Sequence, residues 1–351
     1  MRTRTVKLPL LLAGFAVFSL CLFSQKKLLG NVAYVSEQGG GLDIIDLATL
    51  QLLKTAQPAD AAPRGLALTS DGKYLVTANM GTADLSVFDA QDLRLIRRIH
   101  VGNNPEFVRI HPNGKWIFVS TEIPTPDHPT ETAAATKGDP TASQIVQVNI
   151  ADWSIGRTFT AGSETEGIEF SPDGESLIVA NEGQNSLSIF DLSKGQHVRD
   201  VDLASYGNRP RGLKVSPLGN AYALTMELSG TLVVLNQNFN FVRSAQTGAM
   251  PDGVAFDRTG ETVVVGASGA QKLQFFSTDS LELLGQASVG QRCWHFTFTP
   301  DDSKVLAACG RSNNIFVVDA KTYQPIRTLD GFHLPWGIVT YPHAYGSLDL
   351  P

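Results

Sequence analysis

The sequence predicts an all-β fold, a seven-bladed β-propeller of four-stranded antiparallel blades closed by its own C-terminal strand. Three observations carry that reading. A tripeptide, usually led by proline, recurs at near-constant spacing; short apolar runs and turn residues fill the intervals; and the last repeat supplies the one strand the first lacks. Composition agrees. In 351 residues charged side chains make up only 18%, while 32 glycines and 18 prolines suit a chain of many tight turns.

The tripeptides are Pro63-Arg64-Gly65, Pro105-Glu106-Phe107, Thr165-Glu166-Gly167, Pro210-Arg211-Gly212, Pro251-Asp252-Gly253, Cys293-Trp294-His295 and Pro335-Trp336-Gly337. They recur about every 42 residues, a blade-sized period, with one longer step between Pro105 and Thr165. Each opens the inner strand, A, of a blade. In the fourth blade strand A is Gly167 to Phe170, strand B Ser176 to Asn181, strand C Leu187 to Asp191 and strand D His197 to Leu203. The turn Ser171-Pro172-Asp173-Gly174 joins A to B: proline presets its own φ and glycine takes the left-handed position. Equivalent turns stand at Ser70-Asp71-Gly72 and His111-Pro112-Asn113-Gly114.

The ends close the ring. Residues 31–60 supply only Val32 to Ser36, Leu42 to Leu47 and Leu52 to Ala56, and the missing inner strand stands at Trp336 to Tyr341. The first blade is therefore composite, 31–60 with 335–342, and the propeller spans 31–342 with no open sheet edge in the ring. The third blade carries an insertion, 123–142, and a tail, 343–351, follows the closing strand.

Residues 1–24 read as an export segment. Arg2, Arg4 and Lys7 precede the apolar run Leu8 to Phe23, which is short for a membrane span of about 20 residues. Cleavage after Ser24, retention as an anchor, or lipidation at Cys21 all place the body in the periplasm or outside the cell, with the membrane touched only through that segment. The net charge of −6 opposes a polyanionic partner, so nucleic acid is not expected.

The repeats resemble the YVTN-type propellers, whose strand is carried here by Tyr74 to Asn79 and Leu177 to Asn181. Gly290-Gln291-Arg292-Cys293-Trp294 and Leu334-Pro335-Trp336-Gly337 resemble, more narrowly, the propellers associated with PQQ-dependent catabolism in Gram-negative bacteria. That likeness implies an exported protein beside a quinoprotein dehydrogenase, with no established catalysis of its own. The insertion and the tail depart from the generic repeat.

No haem-attachment, HExxH zinc, P-loop or GxSxG signature is present, and Gly39-Gly40-Gly41 reads as a loop between strands. The candidate site is positional. In a propeller all D-to-A connections meet on one face at the channel mouth, where Arg64, Glu106, Glu166, Arg211, Asp252, Trp294 and Trp336 take equivalent places. Arginine would grip carboxylates and tryptophan would stack on a planar ligand; alternatively, the charges compensate one another and fix blade register. His295 and His333 approach the same mouth as metal or haem ligands or as hydrogen-bonded structural residues. The insertion lies in a B-to-C loop on that face, a lid or a plain surface loop, with Asp127, His128 and Glu131 as its ligand-type residues.

Asp46, Asp89, Asp191 and Asp319 each end a C strand, as turn-capping acids do. Cys293 and Cys309 lie on adjacent strands within about one residue of cross-strand register, which leaves a disulfide in an oxidising compartment or two buried free thiols. No cofactor is assigned, which leaves a bound quinone, haem or metal open. The expected function is a non-catalytic accessory factor that binds a small ligand or a periplasmic protein within a redox system. The alternatives are a propeller enzyme, either a lactonase-like hydrolase or a cofactor-dependent oxidoreductase using Glu106, Glu166, Arg211 and His295, and a surface scaffold.

Overall fold

The computed structural model describes residues 30–57, 61–122 and 142–347. The export segment and the lid residues Asp127, His128 and Glu131 lie outside them. Seven four-stranded sheets form the ring, and in each the order is strand A, B, C, D from the axis outwards. The first sheet is the composite one: Pro335–Tyr341 pairs antiparallel with Val32–Glu37, which is followed by Gly41–Asp46 and Gln51–Ala56. The N-terminal strands and the last strand thus form one sheet, as expected.

Burial explains why the strands read as they do. Strands A and B of the fourth blade, Thr165–Phe170 and Ser176–Asn181, are buried along almost their whole length, while its strand D, Gln196–Asp202, is largely exposed. Inner strands have a neighbouring blade on each face, so their apolar runs are continuous rather than alternating. Arginines on the exposed D strands tie adjacent blades together. Arg97, Arg157, Arg199 and Arg327 each donate to a carbonyl in the C-to-D turn of the next blade, at Asp152, Leu192, Asn238 and Thr49.

The glycine that ends most tripeptides has a steric cause. A Cβ on Gly212 would stand 2.5 Å from the carbonyl oxygen of Asp252 in the next blade, and one on Gly167 2.6 Å from that of Arg211. Two blades place a side chain there instead, and those side chains fill the channel. Phe107 meets His295 edge-on at 5.1 Å between ring centroids, and His295 packs on Trp336 at 4.3 Å.

The opposite end of the channel is covered by the tail. Ala344 and Ser347 are buried, Lys214 Nζ donates to the Ser347 carbonyl, and the Arg258 guanidinium lies over the Tyr345 ring. Asp46, Asp89, Asp191 and Asp319 each accept from turn amides, as their register predicts. Cys293 pairs directly with Cys309 across strands A and B, and the two form a disulfide.

Candidate functional site

The D-to-A connections share one backbone feature in every blade. The residue just before the tripeptide is left-handed: Ala62, Asn104, Glu164, Arg209, Met250, Arg292 and Leu334 all have φ between 44° and 64°. Residues with a Cβ reach this region rarely and at some cost, so seven repeats of it mark a conformation the ring imposes. It ends the connection in a tight kink, and the carbonyl of this residue commonly accepts the amide that follows strand B, as Arg209 accepts from Glu227 and Arg292 from Gly310. Strand A and the B-to-C turn are thereby fastened side by side at the mouth.

Charges from these two loops converge. Arg211 stands at the centre: its guanidinium lies 3.1 Å from Glu166, 3.2 Å from Glu182, 3.3 Å from Glu227 and 3.3 Å from Asp252. Arg209 Nε is 2.6 Å from Glu182 and 2.9 Å from Glu227. Arg292, two blades further round from Glu227, reaches that carboxylate at 2.9 Å and Asp252 at 3.7 Å. Glu164 closes the edge at 3.9 Å from Arg209, and Arg64 pairs with Glu106 at 3.2 Å. The acids and arginines at the mouth therefore do compensate one another, and they do so largely out of water.

Their number does not balance. Glu106, Glu164, Glu166, Glu182, Glu227 and Asp252 outnumber Arg64, Arg209, Arg211 and Arg292 by two. Unmatched negative charge in a buried cluster is relieved by protonation. Burial, reinforced by neighbouring Glu106 and Glu182, pushes the Glu166 carboxyl well above its ordinary range despite Arg211. Burial pushes Glu182 up to about 8, against Arg211 and Arg209. Asp252 is also raised by burial, while Ser268 Oγ donates to it. Glu227 goes the other way: burial favours its neutral form, but Arg211, Arg209 and Arg292 together hold it below its usual range.

The tryptophans correct the expectation of ligand stacking. Trp336 is 1% exposed and Trp294 2%, so neither offers a ring face to a ligand. Trp336 packs on His295 and Phe107 inside the channel, and Trp294 lies against Gly310 with Arg292 above it. His295 is likewise inside the ring, beside a cavity of about 30 Å³ lined also by Phe107 and Lys214. Burial, with Arg211 and Lys214 nearby, holds its imidazole well below the usual range, so it is neutral. His333 is exposed, and its carbonyl accepts from the Gly39 amide in the closing blade. Among the described residues no group of three or more His, Cys, Asp or Glu is arranged around a metal position.

Five members of the cluster escape the tripeptide alignment. Glu164, Arg209 and Arg292 occupy the left-handed position one residue before it, and Glu182 and Glu227 the first position after strand B. Extending the alignment by one residue at each loop brings them out, because both loops meet on the same face.

Comparison with known proteins bears on this part of the chain. The model of a family described as "Lactonase, 7-bladed beta-propeller" matches residues 130–255, a stretch that contains Glu164, Glu166, Glu182, Arg209, Arg211, Glu227 and Asp252. A 6-phosphogluconolactonase of Bacillus subtilis is 24% identical over 188 residues, 52% of this chain and 50% of the relative. The chain thus spans about half the length of that relative. Among solved structures, a functionally unknown protein from Desulfotomaculum acetoxidans superposes with a TM-score of 0.74 at 16% identity, covering 88% of this chain and 98% of that one. The periplasmic gluconolactonase of Pseudomonas aeruginosa does so with a TM-score of 0.71 at 17% identity and the same coverages. At such identities the structural likeness is one of fold. The family-model match and the Bacillus subtilis relative overturn the expectation of a non-catalytic accessory factor of a quinoprotein system: both carry a lactonase description, and the family-model match covers the stretch from Glu164 to Asp252.

Proposed function

We propose that this seven-bladed propeller is a lactonase, a hydrolase that opens a ring ester at the channel mouth. One observation carries the reading: Glu182 and Glu227 flank the same two guanidinium groups, with one carboxyl held protonated and the other ionised. Two carboxyls driven apart in this way have the roles of acid and base assigned by their surroundings.

Ring-ester hydrolysis uses such a pair directly. The ester carbonyl lies against the Arg209 guanidinium, the more accessible of the two, which stabilises the oxyanion as it forms. Glu227 removes a proton from the attacking water, the new C–O bond forms, and the ring C–O bond breaks. Glu182 donates its proton to the departing ring oxygen, which leaves as the hydroxyl of a hydroxy acid. Water is the only co-reactant. Glu227 and Glu182 lie beneath Arg209 and Arg292, so access to them requires those side chains to swing outwards.

The test follows ring opening of glucono-δ-lactone by proton release. Glu227→Gln, if it folds with an unchanged circular dichroism spectrum, is expected to lower kcat at least about 100-fold. A variant that keeps full activity removes Glu227 from the chemistry, and a wild-type protein that opens neither glucono-δ-lactone nor alkyl-substituted δ-lactones sinks the reading. Export remains part of the proposal, supported by the buried disulfide, a bond that persists in oxidising compartments.

A further inference from the structure

The rim of the mouth is not uniformly polar. From the fifth blade round to the first, the left-handed positions alternate between cation and hydrocarbon: Arg209, Met250, Arg292, Leu334. Met250 is 38% exposed and Leu334 39%, although the strand A residues that follow each of them are buried. Arg209 and Arg292 close on the same carboxylate, Glu227, from the blades on either side of Met250. In blade order Met250 therefore holds the rim position between those of Arg209 and Arg292, with its side chain against Gly269. Leu228, the neighbour of Glu227 in the chain, is 66% exposed on the same face.

Folding does not require hydrocarbon at these positions, since Asn104 and Glu164 occupy the equivalent place in two other blades. Single exposed apolar side chains are commonplace. Here Met250 and Leu334 alternate with Arg209 and Arg292 in blade order, and a substrate coated in hydroxyls would gain nothing from them. An alkyl group laid across Met250 would bury its thioether chain while the ester carbonyl stays with the guanidinium groups.

We infer that the lactone this site takes carries an apolar substituent, an alkyl or acyl chain resting on Met250 and running towards Leu334. The inference rests on the lactonase reading and names its substrate class. It makes Met250 a specificity-determining residue rather than a catalytic one.

The experiment compares kcat/KM for δ-decalactone, δ-valerolactone and glucono-δ-lactone. The wild-type protein is expected to prefer δ-decalactone to δ-valerolactone by about tenfold or more, the scale of hydrophobic discrimination in enzyme pockets. Met250→Gln, which keeps the side-chain length and removes the hydrocarbon character, is expected to bring that ratio close to one. Met250→Leu should retain the preference, and Leu334→Gln should reduce it. Hydrolysis of δ-valerolactone or glucono-δ-lactone with no alkyl preference, or a preference that Met250→Gln leaves intact, overturns the inference and leaves the hydrolase reading standing. Absence of hydrolysis on all three lactones removes the hydrolase reading, and this inference with it.

Discussion

Glu182 and Glu227 occupy the same position in adjacent blades and approach the same Arg209 nitrogen, at 2.6 Å and 2.9 Å, yet their carboxyls are driven in opposite directions. Of the two, only Glu227 is reached by Arg292, while Glu182 is raised by burial and by neighbouring Glu227 and Glu106. Arg292→Gln should therefore raise the Glu227 carboxyl and move the acid limb of the pH–rate profile upwards. The basic limb should stay near 8, where Glu182 loses its proton. A profile that shifts on neither limb would mean that Glu227 is not the base.

Stability should fall as pH rises from about 6.5 to about 8. Glu37 is pushed up to about 8, first by burial and then by its hydrogen bond to Asp43, and Glu182 to about 8 by burial. In that window the folded chain keeps protons that the unfolded chain has released, so unfolding becomes more favourable with each step in pH. Below 6.5 the neutral His295 opposes this slope, because there the unfolded chain binds the extra proton. Thermal melts should show Tm at pH 8.5 lower than at pH 6.5 by about 5 °C or more. Glu37→Gln should flatten the slope by stabilising the protein at the alkaline end. An unchanged slope would remove Glu37 as a contributor.

The disulfide closes a loop with a sequence separation of 16. Replacing Cys293 and Cys309 by alanine should cost about 3 kcal/mol, mainly through the freedom returned to the unfolded chain. Melting with and without reductant measures it. Reduction should lower Tm of the parent protein and leave the double variant unmoved.

The tail should matter to the ring rather than to the mouth. Ending the chain after Tyr341 uncovers the surface that packs on Ala344 and removes the Ser347 carbonyl from Lys214. A burial of that size predicts a loss of about 2 kcal/mol or more. Lactone turnover per folded molecule should change little. Loss of turnover with unaltered Tm would contradict this division.

Much of the architecture was legible because its causes are local. Proline and glycine at fixed places in the turns, apolar runs between them, and a missing inner strand balanced by Pro335–Tyr341 are visible in one dimension. The site was half legible. Arg64, Glu106, Glu166, Arg211 and Asp252 follow from register alone, whereas Glu164, Arg209 and Arg292 stand one residue before the aligned triplet and Glu182 and Glu227 one residue after strand B. Trp294 and Trp336 are buried rather than turned to a ligand, because position in a repeat does not say which way a side chain turns and a large ring gains most by burial.

The sequence by itself determined the number of blades and the strand order within them, since repeat period and turn chemistry act between near neighbours in the chain, and closure of the ring followed from the strand missing at one end and present at the other. Only the tertiary structure decided the protonation of the mouth. That depends on how many carboxyls and guanidinium groups from six blades are packed together beyond the reach of water, and charge and desolvation act through space, without regard to the order of residues along the chain.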